Sequence, residues 1–265
     1  MMRFCKYQGA GNDFLIFDNR DGNIQLTAAQ ITALCDRHYG IGADGVMLLE
    51  NADGYDFGMQ YYNSDGSGGM MCGNGGRCIV AFAHRCGIRS YNFLAPDGTH
   101  QAEILDINGN ECTVRLKMKD VTEMKYYNDR ELHGVFLDTG TRHFVVTVPS
   151  VSACDVERTG RHLRYNSQFA PIGANVNFIC PESNGTLDVR TYEKGVEAET
   201  FACGTGIVAS AIAHWHLTHS DDSAAVHQPI QALRDKLSVD FTPTPEGADN
   251  VWLTGPATYV ASIEI

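Results

Sequence analysis

The sequence predicts a mixed α/β protein built from two similar lobes. The chain has 265 residues, enough for two domains that each bury a core of their own. Short apolar or alternating runs bounded by Gly, Asn and Asp outnumber helical patterns, so sheet should exceed helix. A Cys-Gly-x-Gly signal occurs at Cys72 and again at Cys203, each time ahead of small apolar residues. This internal repeat predicts one copy of a duplicated unit in each lobe.

The spacing of the apolar residues indicates where the elements lie. Strands are predicted at residues 14–17, 46–50, 57–62, 102–105 and 112–118. Helices are predicted at 27–38, where Thr27 can act as N-cap, at 77–86, and at 206–217, which is rich in Ala, Ile and Val.

The two signals divide the chain into an N-terminal lobe over 1–119, which carries Cys72, and a C-terminal lobe over 120–256, which carries Cys203. The charged, turn-rich stretch 119–134 is the expected crossing between them. The last residues can add strands to either lobe, and we expect 257–265 to return to the first.

Composition restricts the partners. With 43% hydrophobic and 20% charged residues the chain should be globular and folded throughout. The 32 acidic against 20 basic residues, a net charge of −12, disfavour nucleic acid and an anionic membrane as main partners, and neither is expected. No apolar run approaches the roughly 18 residues of a membrane span, and the first residues do not resemble a signal peptide. We therefore expect a cytoplasmic protein.

The nine cysteines lie far apart and contain no Cys-x-x-Cys pair. This pattern fits neither a disulfide framework nor a zinc ribbon, so free thiols in a reducing compartment are expected. His214 and His216 lack an accompanying carboxylate motif, and no metal site is predicted.

A cysteine followed by Gly-x-Gly at a helix start combines several physical effects. The glycines let backbone N–H groups approach a ligand closely. Those N–H groups and the positive end of the helix dipole suit a carboxylate. The same field favours the thiolate over the thiol, which lowers the pKa of a cysteine from about 8.5.

If both helix N-termini face one cleft, the carboxylate of an amino acid can sit between them with its Cα flanked by two sulfurs. One thiolate would take the α-proton while a thiol on the opposite face returns one, which inverts the centre. The N–H donors would stabilise the charge that develops on the carboxylate. Such a pair must hold one proton at rest, since two thiolates repel and two thiols provide no base.

Other interpretations of the glycine-rich turns are weaker. Either turn alone would more simply be a tight turn with a buried cysteine. The turn after Cys72 lacks the full spacing of a dinucleotide-binding motif, and no Gly-Lys pair provides a phosphate-binding loop. No nucleotide or other cofactor is predicted.

Together the motifs resemble those of the diaminopimelate epimerase family over essentially the whole chain. The matching segments, in order, are KYQGAGNDF at 6–14, DRHYGIGAD at 36–44, YNSDGS at 62–67, CGNGGRC at 72–78, ANVNF at 174–178, YEKG at 192–195, ETFACGTG at 199–206 and LTGPA at 253–257.

The resemblance implies two lobes, each a sheet or barrel around a central helix, with the active site in the cleft between them. It implies epimerisation of LL- to meso-diaminopimelate in lysine and peptidoglycan precursor biosynthesis, without cofactor or metal, by an enzyme that can be a homodimer. The implied catalytic pair is Cys72 and Cys203, with His143 and Glu193 tuning the thiols. The implied substrate-binding residues are Gly73, Asn74, Gly204 and Thr205 at the reacting end, and Asn12, Asn63, Asn175 and Lys194 at the distal end.

Three positions depart from the usual family pattern. Thr141 replaces an asparagine in a Gly-Asn-Pro-His motif, and Lys194 replaces an arginine in Tyr-Glu-Arg-Gly. Gly45 stands where some members have glutamine. All three concern recognition rather than proton transfer. A racemase of another amino acid on the same scaffold, or a binding protein without chemistry, are the alternative functions.

Overall fold

A computed structural model describes residues 2–69, 71–129, 131–219 and 224–265. The predicted mixed α/β class is confirmed. The chain divides into two compact units: the first holds the residues up to Leu116 together with Gly255–Ile265, and the second is Lys117–Thr254. Among the helices that the structure describes, none is long and apolar enough to cross a membrane.

The described residues form sixteen strands and four α-helices. The strands are β1 (Arg3–Gly9), β2 (Asn12–Asp18), β3 (Gly45–Glu50), β4 (Phe57–Asn63), β5 (Asn92–Ala95), β6 (Gly98–Asn108), β7 (Glu111–Lys117), β8 (Met124–Asn128), β9 (His133–Asp138), β10 (Arg142–Thr147), β11 (Asn175–Pro181), β12 (Leu187–Glu193), β13 (Ala198–Thr200), β14 (Val226–Gln231), β15 (Lys236–Thr244) and β16 (Gly247–Glu264). The helices are α1 (Ala28–Cys35), α2 (Gly73–Arg85), α3 (Val156–Arg164) and α4 (Gly204–Thr218).

The first unit is a closed barrel of eight strands around α2. The strand order is β1-β2-β3-β4-β5-β6-β7-β16, and β16 pairs with β1 to close it. Only the part of β16 from Gly255 onward contributes here. Helix α2 is buried from Gly73 to Ala83 because strands surround it. Helix α1 covers the outer face, where its Ile31 packs on Phe17 and Leu48, so β2 and β3 are apolar on both faces.

The second unit has a similar plan of a sheet around a buried helix, although no pairing of β8 with β16 closes the sheet among the described residues. Its strands follow the order β16-β15-β14-β12-β11-β10-β9-β8, with β13 added to β12. The buried helix α4 packs against strands from β9 to β15, and its apolar residues on all sides fit a fully enclosed helix. Helix α3 covers the outer face, where Val156 and Leu163 pack with Phe178 and Tyr192. The duplicated unit predicted from the two Cys-Gly-x-Gly signals is present.

Several predicted bounds were wrong. Helices α2 and α4 begin at Gly73 and Gly204 rather than at Arg77 and Gly206, because burial among strands overrides the low helix propensity of glycine. Helix α1 has the expected Thr27 cap, completed by the side chain of Gln30, but it ends at Cys35. The stretch 119–134 was expected to be a crossing, yet it contains strand β8. Helix α3 was not predicted.

Candidate active site

Cys72 is the N-cap residue of helix α2. Its extended backbone, with φ −110° and ψ 154°, turns the side chain back over the first turn, where Sγ accepts a hydrogen bond from Gly75 N at 3.2 Å. The side chain is half-buried. The sulfur of Cys72 therefore lies at a helix N-terminus, as the sequence predicted. The N–H groups there favour negative charge on the sulfur.

Asn12 lies directly beside this cysteine. Cys72 Sγ is 3.8 Å from Asn12 Oδ1, while Asn12 Nδ2 donates to Asp44 Oδ2 at 2.6 Å. Asp44 also accepts from the backbone N–H of Asp13 at 3.1 Å. The side chain that sequence reasoning placed at the distal end of the substrate is thus in contact with the sulfur of Cys72.

An ion-pair cluster fixes the start of β2 around Asn12. Asp13 pairs with Lys6 at 2.9 Å and with Arg37 at 2.7 Å, and Arg37 also pairs with Asp44 at 2.6 Å. Burial works against the charge on Asp13, but the hydrogen bonds from Arg37 and Lys6 outweigh it, and the pKa of Asp13 lies below its ordinary value. Arg37 and the backbone of Asp13 thus hold the Asp44 carboxylate in place as the acceptor for Asn12.

Asn63 stands at the end of β4, near Asp44. Its Nδ2 donates to Ser67 Oγ at 3.0 Å, and the next residue, Ser64, donates its N–H to Asp44 O at 3.1 Å. Asn63 pairs in register with Gly45 on β3. The structure therefore brings Asn12, Asn63 and Cys72 to one end of the first barrel.

The packing around strand β3 explains why position 45 is a glycine. A Cβ added to Gly45 would lie 2.5 Å from Tyr62 O and 2.6 Å from Tyr61 Cε2. The Tyr61 ring, which also packs edge-on against Phe14, fills the space that a side chain on β3 would need. A glutamine does not fit here unless the strand or the ring moves.

Gly73 and Asn74 form the first turn of α2 and are held by a buried arginine. Arg77 is fully buried and donates to Gly73 O at 3.2 Å, to Asn74 Oδ1 at 2.9 Å and to Pro256 O at 3.2 Å. Sequence reasoning missed Arg77, which appeared to be the first residue of an ordinary helix. Its guanidinium adds positive charge at the end of α2 that carries Cys72.

Cys203 is the N-cap residue of helix α4 in the second unit. It is buried, with 8% of its surface exposed, and its Sγ lies 3.5 Å from the Thr205 hydroxyl. Gly204 is buried, and the carbonyl of Thr205 accepts from Thr139 Oγ1 at 2.9 Å. Gly206 has no room for a side chain, since an added Cβ would lie 2.3 Å from Asn177 Oδ1.

His143 is the centre of a hydrogen-bond cluster beneath Cys203. Its Nε2 lies 2.9 Å from Thr141 Oγ1 and 3.0 Å from Thr205 Oγ1. Its Nδ1 lies 3.0 Å from Asn177 Nδ2. Burial lowers the pKa of His143 to about 3, so the ring is neutral near pH 7. The imidazole therefore contacts the hydroxyl that contacts the sulfur of Cys203.

Asn177 and Thr191 complete this cluster from β11 and β12. Thr191 Oγ1 donates to Asn177 Oδ1 at 2.9 Å, and both residues are buried. Sequence reasoning missed both. The signal that could have found Asn177 is its position two residues after Asn175, which places two polar side chains on one face of an otherwise apolar strand.

Asn175 and Lys194 lie next to the cluster. Asn175 Nδ2 donates to Arg142 O at 3.0 Å and to Thr141 Oγ1 at 3.3 Å, and its Oδ1 accepts from Lys194 N at 2.7 Å. The half-buried Lys194 ammonium forms no ion pair or hydrogen bond with the part of the chain that the structure describes. It can therefore receive an anionic group.

Glu193 ends strand β12 and accepts from Thr200 Oγ1 at 2.9 Å, in the segment that leads to Cys203. Burial raises the pKa of this carboxyl, and the Thr200 hydrogen bond opposes that shift. Burial therefore makes this carboxyl hold a proton more readily than an exposed glutamate does.

All nine cysteines are free thiols. Within residues 2–69, 71–129, 131–219 and 224–265, no group of three His, Cys, Asp or Glu side chains is arranged to bind a metal ion. Each unit thus supplies a cysteine sulfur at the N-terminus of a buried helix, with polar side chains around it, which suits acid or base chemistry by a thiol.

The same fold occurs in solved structures of other proteins. The structure is similar over 100% of its length to a phenazine biosynthesis protein of the PhzF family from Bacillus anthracis, with a TM-score of 0.78, 16% identity and 98% of that chain covered. It is also similar to a hydroxyproline epimerase from Agrobacterium vitis, with a TM-score of 0.68, 15% identity, and 100% and 90% of the two chains covered. At these identities the likeness concerns the fold.

Sequence comparison identifies the family of the chain. The sequence model of diaminopimelate epimerase matches residues 4–123 and 135–258. The diaminopimelate epimerase of Flavobacterium psychrophilum is 43% identical, with 98% of each chain covered, and that of Chlorobaculum tepidum is 42% identical, with 95% and 96% covered. The chain belongs to the diaminopimelate epimerase family, which confirms the resemblance seen in its motifs.

Proposed function

We propose that this chain is an isomerase that interconverts LL- and meso-diaminopimelate by inverting one Cα, with Cys72 and Cys203 as the acid/base pair. Family membership supports the reaction, and its relatives carry that name. The observation that carries the mechanism is that each unit has its cysteine as the N-cap residue of a buried helix. The substrate is a small amino acid, and the reaction needs no pyridoxal phosphate.

The helix ends have the chemistry that this reaction requires. Removal of the α-proton builds negative charge on the adjacent carboxylate, and N–H groups placed at a helix N-terminus stabilise that charge more in the transition state than in the ground state. Gly73, Asn74, Gly204 and Thr205 would hold this carboxylate. One sulfur takes the proton from Cα, and the other sulfur delivers a proton to the opposite face.

We assign recognition of the distal amino-acid end to Asn12, Asn63, Asn175 and Lys194. Lys194 supports this role because its ammonium is available among the described residues, whereas the carboxamide of Asn175 is already bonded within the protein. A lysine provides the positive charge that a carboxylate needs, as a point charge without the two-pronged geometry of arginine.

The three departures from the family pattern support a second candidate, a racemase of another amino acid on the same scaffold. Gly45 has no side chain that could contact a substrate, and the Thr141 hydroxyl contacts His143. Two groups that would recognise diaminopimelate in other family members are therefore changed here. A substrate panel of amino acids with and without a second amino-acid end separates the two functions. Binding of diaminopimelate without isotope exchange at Cα would instead indicate a binding protein.

We also propose a cytoplasmic location and a homodimer. Nine free thiols support a reducing compartment. Symmetric dimers are the commonest oligomers, and light scattering of the purified protein would decide the point.

The two cysteine variants test the proposed pair. Cys72→Ala and Cys203→Ala should each lower turnover of diaminopimelate by at least about a hundredfold, and the double variant should lose little more, because the two sulfurs act as a unit. Cys180→Ala, which removes a thiol from strand β11, is the matched control and should keep full activity. Near-normal turnover by either single variant would contradict the mechanism.

A further inference from the structure

We propose that Asn177 is a positioning residue for the reaction: it holds the imidazole of His143 against Thr205, and it supports the turn of α4 that begins at Cys203. The inference rests on the proposed function, in which this turn carries one of the two reacting sulfurs. Every contact that it uses lies within the second unit.

Asn177 is a polar residue at a position where a protein core favours apolar ones. It lies in the middle of β11 and is fully buried. Side chains alternate along a strand, and the neighbours Val176 and Phe178 pack in one cluster with Val156 and Leu163 of α3. Asn177 therefore faces the opposite side of the sheet, where α4 packs on β11. A buried amide is costly unless its hydrogen bonds are made, so its partners are informative.

Both ends of the Asn177 amide are bound by side chains. The Thr191 hydroxyl, opposite it on strand β12, donates to Oδ1 at 2.9 Å, and Nδ2 lies 3.0 Å from Nδ1 of His143. These contacts do not depend on the tautomer of the ring. An amide has a donor and an acceptor, and a hydroxyl can serve as either, so an amide turned over would preserve both hydrogen bonds. The amide thus links His143 to β12 in either arrangement.

The contact at Nδ1 helps to determine which edge of the imidazole faces α4. Nε2 lies 3.0 Å from the Thr205 hydroxyl and 2.9 Å from the Thr141 hydroxyl. A ring rotated by half a turn about its Cβ–Cγ bond would place carbon atoms where both nitrogens now lie, and these hydrogen bonds would be lost. Hydrogen bonds at both nitrogens therefore hold the ring in one orientation, and Asn177 supplies the one at Nδ1.

Asn177 also lies directly against the first turn of α4. A Cβ added to Gly206 would be 2.3 Å from Asn177 Oδ1 and 3.3 Å from His143 Cε1. The glycine lets the helix approach both side chains closely. The turn that begins at Cys203 therefore rests on Asn177 and His143, which set its distance from the sheet. Without the amide this turn and its N–H groups can move, and a small misplacement of reacting groups lowers turnover strongly.

Steady-state kinetics of Asn177→Leu test this role. Leucine has nearly the volume of asparagine and forms neither hydrogen bond. The variant should lower kcat for diaminopimelate by at least about tenfold and change KM by less than about threefold, because the reacting turn is misplaced while the distal contacts remain. A residue needed only for stability would leave kcat per folded molecule unchanged. A normal kcat in folded Asn177→Leu protein would overturn the proposal.

Thr191 provides a second test, which stays decisive if Asn177→Leu does not fold. Thr191→Val has nearly the same shape but cannot bind the amide of Asn177, whereas Thr191→Ser keeps the hydroxyl. Thr191→Val should lower kcat by at least about fivefold, and Thr191→Ser should stay within about twofold of the parent. Equal kcat for the two variants would show that the orientation of the amide does not reach the reacting turn.

Histidine NMR tests the contact with His143 without turnover, with its signal assigned by its absence in His143→Gln. The charged groups that act on the pKa of this ring are Asp138, which raises it, and Lys194, which lowers it, and burial outweighs both. Asn177→Asp would place a carboxylate beside Nδ1, so the ring should be protonated at pH 6, where the ring of the parent is neutral. Asn184→Asp, in an exposed turn, is the control and should leave the ring neutral. A neutral His143 at pH 6 in the Asn177→Asp protein would contradict the contact.

These outcomes separate the role of Asn177 from the proposed function. A parent protein that does not epimerise diaminopimelate rejects the function, and the NMR titration still decides whether Asn177 holds His143. An active parent whose folded Asn177→Leu and Thr191→Val variants keep its kcat rejects the positioning role alone.

Discussion

The hydroxyl of Thr141 lies 2.9 Å from Nε2 of His143, at a position where the family often has an asparagine. The same hydroxyl accepts from Asn175 Nδ2 at 3.3 Å and lies 3.2 Å from the Thr205 hydroxyl. Thr141 therefore links the imidazole to the first turn of α4. The threonine at this position therefore changes the hydrogen-bond cluster beneath Cys203, in addition to any contact that it makes with the substrate.

Thr141→Val should lower kcat/KM for diaminopimelate by about tenfold or more, because the buried Nε2 of His143 loses one hydrogen-bond partner, a loss of at least about 1.4 kcal/mol. Thr141→Ser keeps the hydroxyl and should remain within about threefold of the parent. Steady-state kinetics of the two variants provide the measurement, and equal values for them would show that the hydroxyl is not used.

The buried histidine should make stability depend on pH. His143 has a folded-state pKa of about 3 against 6.5 for an ordinary histidine, so below 6.5 the unfolded chain binds a proton that the folded protein does not. The free energy of unfolding therefore falls as the pH drops below 6.5, and His143 accounts for at most about 1.4 kcal/mol of this decrease per pH unit.

Urea unfolding at a series of pH values measures this slope. His143→Asn should flatten it between about pH 6.5 and pH 4, where the imidazole would otherwise titrate. His162→Asn, at an exposed position on α3, is the control and should leave the slope unchanged. A His143→Asn protein as sensitive to acid as the parent would show that His143 is not held neutral.

A side chain at position 45 should destabilise the first unit. Gly45→Ala should cost about 1–3 kcal/mol, because its Cβ would overlap Tyr62 O, a backbone atom that cannot move away independently of its strand. Gly68→Ala is the control, since nothing lies within 4 Å of an added Cβ there. Chemical unfolding of both variants gives the comparison, and equal stability would mean that β3 has more freedom than its packing indicates.

Lys194 should control discrimination at the distal end of the substrate. Lysine lacks the distal carboxylate and should be epimerised at least about a hundredfold less efficiently than diaminopimelate, a difference of about 3 kcal/mol. Lys194→Met should narrow this difference by lowering kcat/KM for diaminopimelate alone, while Lys194→Arg should preserve it. Comparable kcat/KM for the two substrates in the parent protein would favour the alternative racemase.

Features that depend on neighbouring residues in the chain were predictable from the sequence. The two cysteines, their glycines and the N-cap of α1 are short-range signals, and the repeat indicated the duplicated plan. Features that depend on contacts with other strands were not predictable from the sequence. Arg77 is typical of an exposed helix position and is buried only because the barrel encloses α2. Asn177 meets Thr191 only through the pairing of β11 with β12. Helix α3 buries Val156, Gly160 and Leu163 at helical spacing, but only two of these carry apolar side chains, and the rest of this short segment is mostly charged.

The central claim, inversion of one Cα by two bases, is tested most directly by the isotope pattern of a reaction started with LL-diaminopimelate in deuterated water. At early times, chiral separation and mass spectrometry should find one deuterium at the inverted Cα of each meso product and none in the remaining LL-diaminopimelate, because one sulfur keeps the abstracted proton while the other delivers deuterium from solvent. Deuterium entering the remaining LL-diaminopimelate as fast as the product, or product that retains the original hydrogen, would contradict a pair of cysteines acting on opposite faces.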